Sequence, residues 1–390
     1  MRSRTKSKII NIVSCSISVV LLILLAVKLD SPKAHLQSEG TTEITNSAVR
    51  IESSVYTQPV PVATEAVISY MGLKKPEKVN EVYDQFNGAQ GMLNYSVAWD
   101  FTYQVTALPS GAEIKSVILE LAENGSYKNA KKFELDVNDY KVSVYNLKPA
   151  TDYYYRLKLN LSDDTYCGAE GKFVTAASPR ILTVDGAVNV RDIGGYKTGS
   201  GKKIAYGKLY RGSEIDGAIE AKYKITEKGK TQMLDDLGVR FDLDLRGAEV
   251  EKNGVDPLGS GVPHKYFTAS YYSEIFEESN KRTVRQVFAE LSREQNYPMY
   301  MHCTYGRDRT GTICYLLEAL LGVSDEDLYR DYALSAFTDS FIETEKFETF
   351  ISDIEKLPGA TTQQKVEKWL LSIGVTQGEI NNIKQILLAD

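Results

Sequence analysis

Apolar and polar positions alternate with two different rhythms along this chain, and the change falls near residue 178. Between residues 63 and 178, apolar positions recur at every second residue in short runs. The segments Asn94–Phe101, Glu113–Leu121, Lys132–Val137, Lys141–Tyr145, Asp152–Leu161 and Lys172–Thr175 are rich in β-branched and aromatic residues. Turn residues such as Glu123-Asn124-Gly125 separate them, which predicts an all-β module. From 179 to 390 strand and helix patterns alternate instead. Val239–Leu245 reads as a buried strand with Phe241, Leu243 and Leu245 on one face, and Pro298–His302 as a second. Thr310–Leu321 sets Ile313, Leu316, Leu317 and Leu320 on one helical stripe and stops at Gly322. Gln364–Ile373 and Gln377–Leu388 read as closing helices. The expected architecture is an α/β domain over 179–390 preceded by an all-β sandwich over 63–178.

The N-terminal pattern matches neither half. Arg2, Arg4, Lys6 and Lys8 precede a run over residues 9–27 that is apolar apart from Asn11, a few serines and Cys15. That length approaches the roughly 20 residues needed to cross a bilayer. Residues 1–28 are therefore expected to be a signal anchor or a signal peptide. The basic flank places residue 29 onward outside the cytoplasm, either anchored to the cell membrane or secreted. Residues 29–62, rich in Ser, Thr, Glu and Pro, read as a linker.

Composition narrows the chemistry. The chain has 390 residues, 43% hydrophobic and 25% charged, with a formal net charge of -6. That suits a globular protein of two or three domains and argues against a nucleic-acid partner. Four cysteines, Cys15, Cys167, Cys303 and Cys314, show no metal-ligand spacing and are too few for a disulfide framework. With only His35, His264 and His302, a His-rich metal site is not expected, and neither metal nor cofactor is called for.

The informative chemistry lies at His302-Cys303-Thr304-Tyr305-Gly306-Arg307-Asp308-Arg309-Thr310-Gly311, between the strand ending at His302 and the helix starting near Thr310. A free cysteine, with a pKa of roughly 8.5, is mostly thiol near neutrality. Amides of a tight loop at a helix start, together with a guanidinium, favour the thiolate. The same amides, from Thr304 to Arg309, would cradle three oxygens of a tetrahedral anion. Arg309 can hold two of those oxygens with its planar fork. Gly306 lets the backbone turn, and Thr310 can hydrogen-bond the sulfur as it departs. This combination points to phosphate-ester hydrolysis through a phosphocysteine, with no metal required. Cys314, one turn into the helix, reads as core.

The loop resembles that of protein-tyrosine phosphatases, in particular a bacterial secreted branch with His-Cys-x-x-Gly-Lys-Asp-Arg-Thr-Gly, some of whose members also act on phosphoinositides. Three further stretches resemble that branch: Asn189–Tyr196, Gly207–Ser213, and Asp244-Leu245-Arg246 followed by Glu249. Asp331–Ser335 fits as well. The resemblance implies a protein-tyrosine-phosphatase-like catalytic domain acting on a phosphorylated protein or a phosphoinositide. Arg307 stands where the branch has Lys, which keeps the charge and changes the shape. The resemblance assigns proton donation to Asp244. Asp308 in the loop and Asp242 on the same strand face remain open as donors, and an ion pair of Asp244 with Arg246 or Arg211 is compatible with either. The Asn189–Tyr196 stretch is expected to be a scaffold turn. In the β module, Leu147–Leu157 resembles the tyrosine corner of fibronectin type III domains within the immunoglobulin-like class, with Tyr153 as the corner tyrosine and Trp99 as the core tryptophan. Such a module serves as a spacer or binds a surface partner. Alternative readings are an extracellular inositol-phosphate phosphatase, a rhodanese-type sulfurtransferase, and a surface binding protein with a relic phosphatase domain.

Overall fold

A computed structural model describes residues 49–73, 96–137, 140–162, 165–177, 179–247, 250, 257–338 and 343–389. In its first part the elements are β1 (Arg50–Ser53), α1 (Glu65–Met71), β2 (Trp99–Ala107), β3 (Ile114–Ala122), β4 (Lys131–Leu135), β5 (Lys141–Val144), β6 (Asp152–Leu161) and β7 (Thr165–Val174). The strands form two antiparallel sheets of order β1-β2-β5 and β4-β3-β6-β7. Period-two patterning explains why: in β6 Tyr153, Tyr155, Leu157, Leu159 and Leu161 all point inward. They share one core with Trp99, Phe101, Val117 and Leu119, and Trp99 stacks on Phe173 at 4.5 Å.

Two elements fall where the sequence pattern predicts none. Strand β1 lies inside the expected linker, and it buries Val49 and Ile51 in the β core. Its alternation is only four residues long, so it does not stand out from a Ser/Thr-rich background. Helix α1, set between β1 and β2, packs away from that core. Its Val67 and Tyr70 enter the core of the second half, where Tyr70 lies 5.8 Å from Phe337. The apolar run 9–27, Cys15, His35 and Glu249 lie outside the described residues. Among the described residues, no helix is long and apolar enough to cross a membrane.

The second half contains β8 (Arg180–Ile181), β9 (Arg191–Asp192), β10 (Lys203–Ile204), β11 (Leu209–Gly212), α2 (Glu227–Thr231), β12 (Phe241–Asp244), β13 (His264–Tyr266), α3 (Glu278–Leu291), β14 (Met299–His302), α4 (Asp308–Leu321), α5 (Asp325–Ala333), α6 (Thr344–Glu355), α7 (Thr362–Ser372), α8 (Gln377–Leu387) and β15 (Leu388–Ala389). The central sheet has order β13-β12-β14-β11-β9-β8. Strands β13, β12, β14 and β11 are parallel to their neighbours, whereas β9 and β8 run antiparallel. Strand β12 is buried throughout yet alternates Phe241 and Leu243 with Asp242 and Asp244, so its second face carries buried carboxyl groups. In register, His302 pairs with Gly212 of β11 on one side and with Asp244 of β12 on the other. Three carboxyl-terminal strand ends therefore sit side by side where the Cys303 loop begins, the edge at which parallel sheets carry their sites. Helix α4 leaves that loop and is buried from Thr310 to Leu321, ending at left-handed Gly322.

The halves meet at polar contacts. Asn146, after β5, accepts from Thr183 N at 2.7 Å and donates to Thr183 O at 2.9 Å. Buried Arg180 links the Asn146 carbonyl at 3.0 Å to Asp192 at 2.9 Å.

Candidate active site

Cys303 follows β14 directly and is 4% exposed. The loop's carbonyls are held from beneath. Asn189 Nδ2 donates to Tyr305 O at 3.0 Å, and Arg211 Nη2 donates to Gly306 O at 3.0 Å. In a trans peptide the N–H points opposite the C=O. The amides of Gly306 and Arg307 are thus turned to the other side of the loop. Among the described residues, no backbone N–H from Thr304 through Thr310 meets a protein acceptor. The last three belong to the unsatisfied first turn of α4, where the helix dipole favours negative charge. Gly306 has a φ of +67°, and a Cβ there would lie 2.3 Å from the Gly212 backbone. Only glycine lets the loop rest on the end of β11.

The side chains complete the cradle. Arg309 is half-buried and makes no hydrogen bond or ion pair among the described residues. Thr310 Oγ1 is buried without a partner. Arg307 binds Asp308 through Nε at 2.9 Å and Nη2 at 2.8 Å. Asp308 also accepts a short hydrogen bond from the Tyr272 hydroxyl, which in turn meets the Tyr332 hydroxyl. Cys314 is fully buried, and burial pushes its thiol up to about 12, so it stays a neutral core residue as expected. The side chain of Cys167 is outside the described set.

Beneath the loop, Asp331 of α5 gathers two motifs. Arg191 Nε reaches its carboxylate at 3.1 Å, and Arg211 Nη1 reaches it at 2.5 Å. Arg191 Nη1 also meets Asn189 Oδ1 at 2.5 Å. Burial alone would raise Asp331, but Arg191 and Arg211 outweigh it and hold its carboxyl below the usual range. Glu318, also buried, is raised well above its usual value by burial and then by the Asp331 charge. Two guanidiniums thus face one ionised carboxylate, which leaves positive charge under the anion cradle. Asp192 accepts from Gly194 N at 2.8 Å and Gly207 N at 2.7 Å, so the Asn189–Tyr196 stretch supports the loop without facing it.

Asp244 pairs in register with His302, one residue before Cys303. It is 0% exposed, and Arg246 grips both of its oxygens, with Nη2 at 2.6 Å from Oδ2. Arg246 also binds Glu214 and reaches Asp216 at 2.8 Å. Burial opposes ionisation of Asp244, but His302, His264 and Arg246 together hold its carboxyl well below the usual range. The geometry pairs Asp244 with Arg246, one of the two ion pairs the sequence left open, and gives Arg211 to Asp331. Sequence reasoning also missed Tyr272, which reaches Asp308 from the segment after β13 and sits in the left-handed region at φ +51°. Tyr127 in the β module has a similar backbone at φ +55°, so the tie of Tyr272 to the site is its hydroxyl contact with Asp308. No pattern in the sequence announces it.

Such a loop defines a class: a protein that binds a tetrahedral oxyanion against a cysteine at the edge of a parallel sheet. Residues 182–389 match the tyrosine phosphatase family, just over half of the chain, and the chain belongs to that family. It is 31% identical over 121 residues to a tyrosine-protein phosphatase of Nostoc commune, covering 26% of this chain and 41% of that protein. It is 26% identical over 170 residues to a protein of Cupriavidus necator named as a candidate tyrosine-protein phosphatase, covering 39% of this chain and 61% of that one. The chain thus spans less than two thirds of either relative. Among solved structures it is similar to the core catalytic domain of the PP-IP phosphatase SIW14 from S. cerevisiae, at 17% identity and a TM-score of 0.29, covering 42% of this chain and 89% of that one.

Proposed function

We propose that the chain is a cysteine-dependent phosphomonoester hydrolase of the protein-tyrosine phosphatase type, with phosphotyrosine as its first substrate class and phosphoinositides as its second. The observation that carries this reading is the run of amides from Thr304 to Thr310 that, among the described residues, meet no acceptor, beside Arg309, likewise without a partner among them, and buried Cys303. The Cys303 sulfur attacks phosphorus, the P–O ester bond breaks, and the leaving oxygen takes a proton. Water then attacks the phosphocysteine, releasing phosphate and returning the sulfur. Arg309 and the amides stabilise the equatorial oxygens in both steps.

Asp308 is the proton donor in this scheme. It lies at the loop mouth with its side chain 17% exposed. Incoming phosphate draws Arg307 off Asp308, which leaves the carboxyl with the Tyr272–Tyr332 hydroxyl pair. A relic domain is disfavoured because both Cys303 and Arg309 are present in a complete cradle.

The β module in this reading is a fibronectin type III-like platform for a surface partner. Support comes from the Tyr153 hydroxyl accepting from Lys148 N at 2.9 Å, a tyrosine-corner contact, and from buried Trp99. The basic flank and apolar run of residues 2–27 support an extracytoplasmic location, with the chain anchored or secreted.

The test is release of phosphate from para-nitrophenyl phosphate and a phosphotyrosine peptide by the full chain. Cys303→Ser is expected to bind vanadate or phosphate and to show no turnover. Arg309→Lys keeps the charge and loses the bidentate fork, so most activity should go with it. Turnover retained in Cys303→Ser would sink the proposal.

A further inference from the structure

Two histidines far apart in sequence meet behind the loop. His264 of β13, His302 of β14 and Asp242 of β12 place one ligand atom each within 4.8 Å of one another. His302 Nε2 lies 3.0 Å from Asp242 Oδ1, and His264 Nε2 lies 3.6 Å from Asp242 Oδ2. Asp244 Oδ2 is 3.7 Å from His264 Nε2 and 3.9 Å from His302 Nε2. Asp242 and His302 are 0% exposed, and the His264 side chain is 7% exposed.

The distances suit hydrogen bonds but the directions do not. Neither oxygen of Asp242 and neither Nε2 makes an aligned hydrogen bond. Buried polar atoms this close are normally paired, because leaving them unpaired costs roughly 1–3 kcal/mol each. Atoms that approach without pointing at each other are what ligands do when their lone pairs converge on a point between them. A tetrahedron with bonds of about 2.0–2.1 Å has edges of about 3.3 Å; the imidazole–carboxylate approaches here are 3.0–3.9 Å, and the atoms of Asp242, His264 and His302 lie within 4.8 Å of one another. The far side of His302 agrees: its Nδ1 lies 3.4 Å from the Cys303 carbonyl. An Nδ1–H donated there leaves the Nε2 lone pair facing the cluster, the usual support of a metal-bound imidazole.

Four carboxylates, Glu214, Asp216, Asp242 and Asp244, gather here, and Arg246 touches three of them but not Asp242.

We propose that Asp242, His264 and His302, with Asp244 Oδ2 as fourth ligand, form a binding site for a divalent transition metal of the zinc class. The donor set, two imidazole nitrogens with carboxylate oxygens, selects zinc over calcium or magnesium, which prefer six or more oxygens. Bound there, the ion ties β12, β13 and β14 together one residue before Cys303. The ion takes no part in the phosphoryl chemistry proposed above, and the site stands or falls separately from it.

The experiment uses the full chain carrying Cys303→Ser, so that the loop thiol cannot bind the probe. After dialysis with Zn²⁺, one equivalent should be retained per chain, and the unfolding temperature should rise. Co²⁺ should give the visible bands of a tetrahedral ion without a sulfur charge-transfer band in the near ultraviolet. His264→Gln, on the edge strand, and Asp242→Asn should each weaken Zn²⁺ binding by more than the roughly 10–100-fold that loss of an outer-shell partner costs. Urea unfolding of each metal-free variant checks that it is folded. Failure to retain zinc, a sulfur band with cobalt, or unchanged affinity in folded His264→Gln would overturn the proposal.

Discussion

Two buried charged clusters flank the Cys303 loop, and they solve opposite problems. Under the loop, Arg191 and Arg211 share Asp331, and Glu318 next to it is kept neutral. Its spare donors go upward to loop carbonyls, so the amides turn toward the anion side. Behind the loop, Asp242, Asp244, Glu214 and Asp216 outnumber Arg246, and several buried atoms are close without being aligned. One cluster is positive, well bonded and aimed at the loop. The other gathers four carboxylates at the strand ends and is partly unsatisfied. The lesson is that a buried carboxylate beside a catalytic loop is not thereby an acid: its partners decide whether it supports, donates or binds.

If that contrast is right, the largest effect belongs to neither cluster. Asp308→Asn should slow phosphotyrosine and alkyl phosphates by roughly 10²–10⁴-fold, the usual range for acid–base groups, and remove the basic limb of the pH–rate profile. An aryl phosphate with a good leaving group should slow far less. Asp244→Asn should affect all leaving groups alike, because it disturbs Arg246 and not proton transfer. Steady-state kinetics on a leaving-group series decides, and a leaving-group dependence found in Asp244→Asn alone would reverse the assignment.

Next in size is Asp331→Ala, which strands two buried guanidiniums. Breaking a buried pair by removing one partner costs about 3–5 kcal/mol, measurable by urea unfolding. The sign with pH follows from the depressed carboxyl. Its stabilisation is complete above the unfolded value of roughly 3.9 and is lost as pH falls through the folded value. The gap between wild type and variant should therefore close in acid. A cost under about 1 kcal/mol at neutral pH would mean that this cluster does not hold the loop.

The smallest effect is at Glu318. A carboxyl raised by burial binds a proton in the folded chain that the unfolded chain releases above roughly 4.3. Wild-type stability therefore falls as pH rises beyond that value, and Glu318→Gln should not share the decline. Unfolding curves of the two should coincide near pH 4 and separate toward neutrality with the variant the more stable. Parallel curves would show that Glu318 is ionised in the fold and that the cluster is less positive than described.

Much of this site is legible in the chain because its chemistry is contiguous. Cys303, the amides after it, Arg309 and Thr310 occupy one loop, and the covalent chain alone brings them together. The strand before and the helix after show by pattern, since Phe241, Leu243 and Leu245 alternate and the stripe on α4 keeps its period. The supporting parts resist such reading. Asp331 meets Arg191 and Arg211 across 140 and 120 residues. His264 and His302 look like two scattered histidines until parallel pairing sets β13, β12 and β14 side by side. Strand β1 and helix α1 escape notice for a related reason: each is short, and each is held by a core it reaches only after folding.

From the sequence alone came the anion-binding loop, its nucleophile, its arginine and the change from β to α/β texture, because these depend on neighbours along the backbone and on local periodicity. The tertiary structure decided that Asp244 is fully buried against Arg246, while Asp308 is shared between Arg307 and a tyrosine hydroxyl. It also decided which face of the loop presents its amides and where two histidines and an aspartate converge. Those outcomes depend on strand order and register, and distant residues come within hydrogen-bonding reach only once the sheet has formed.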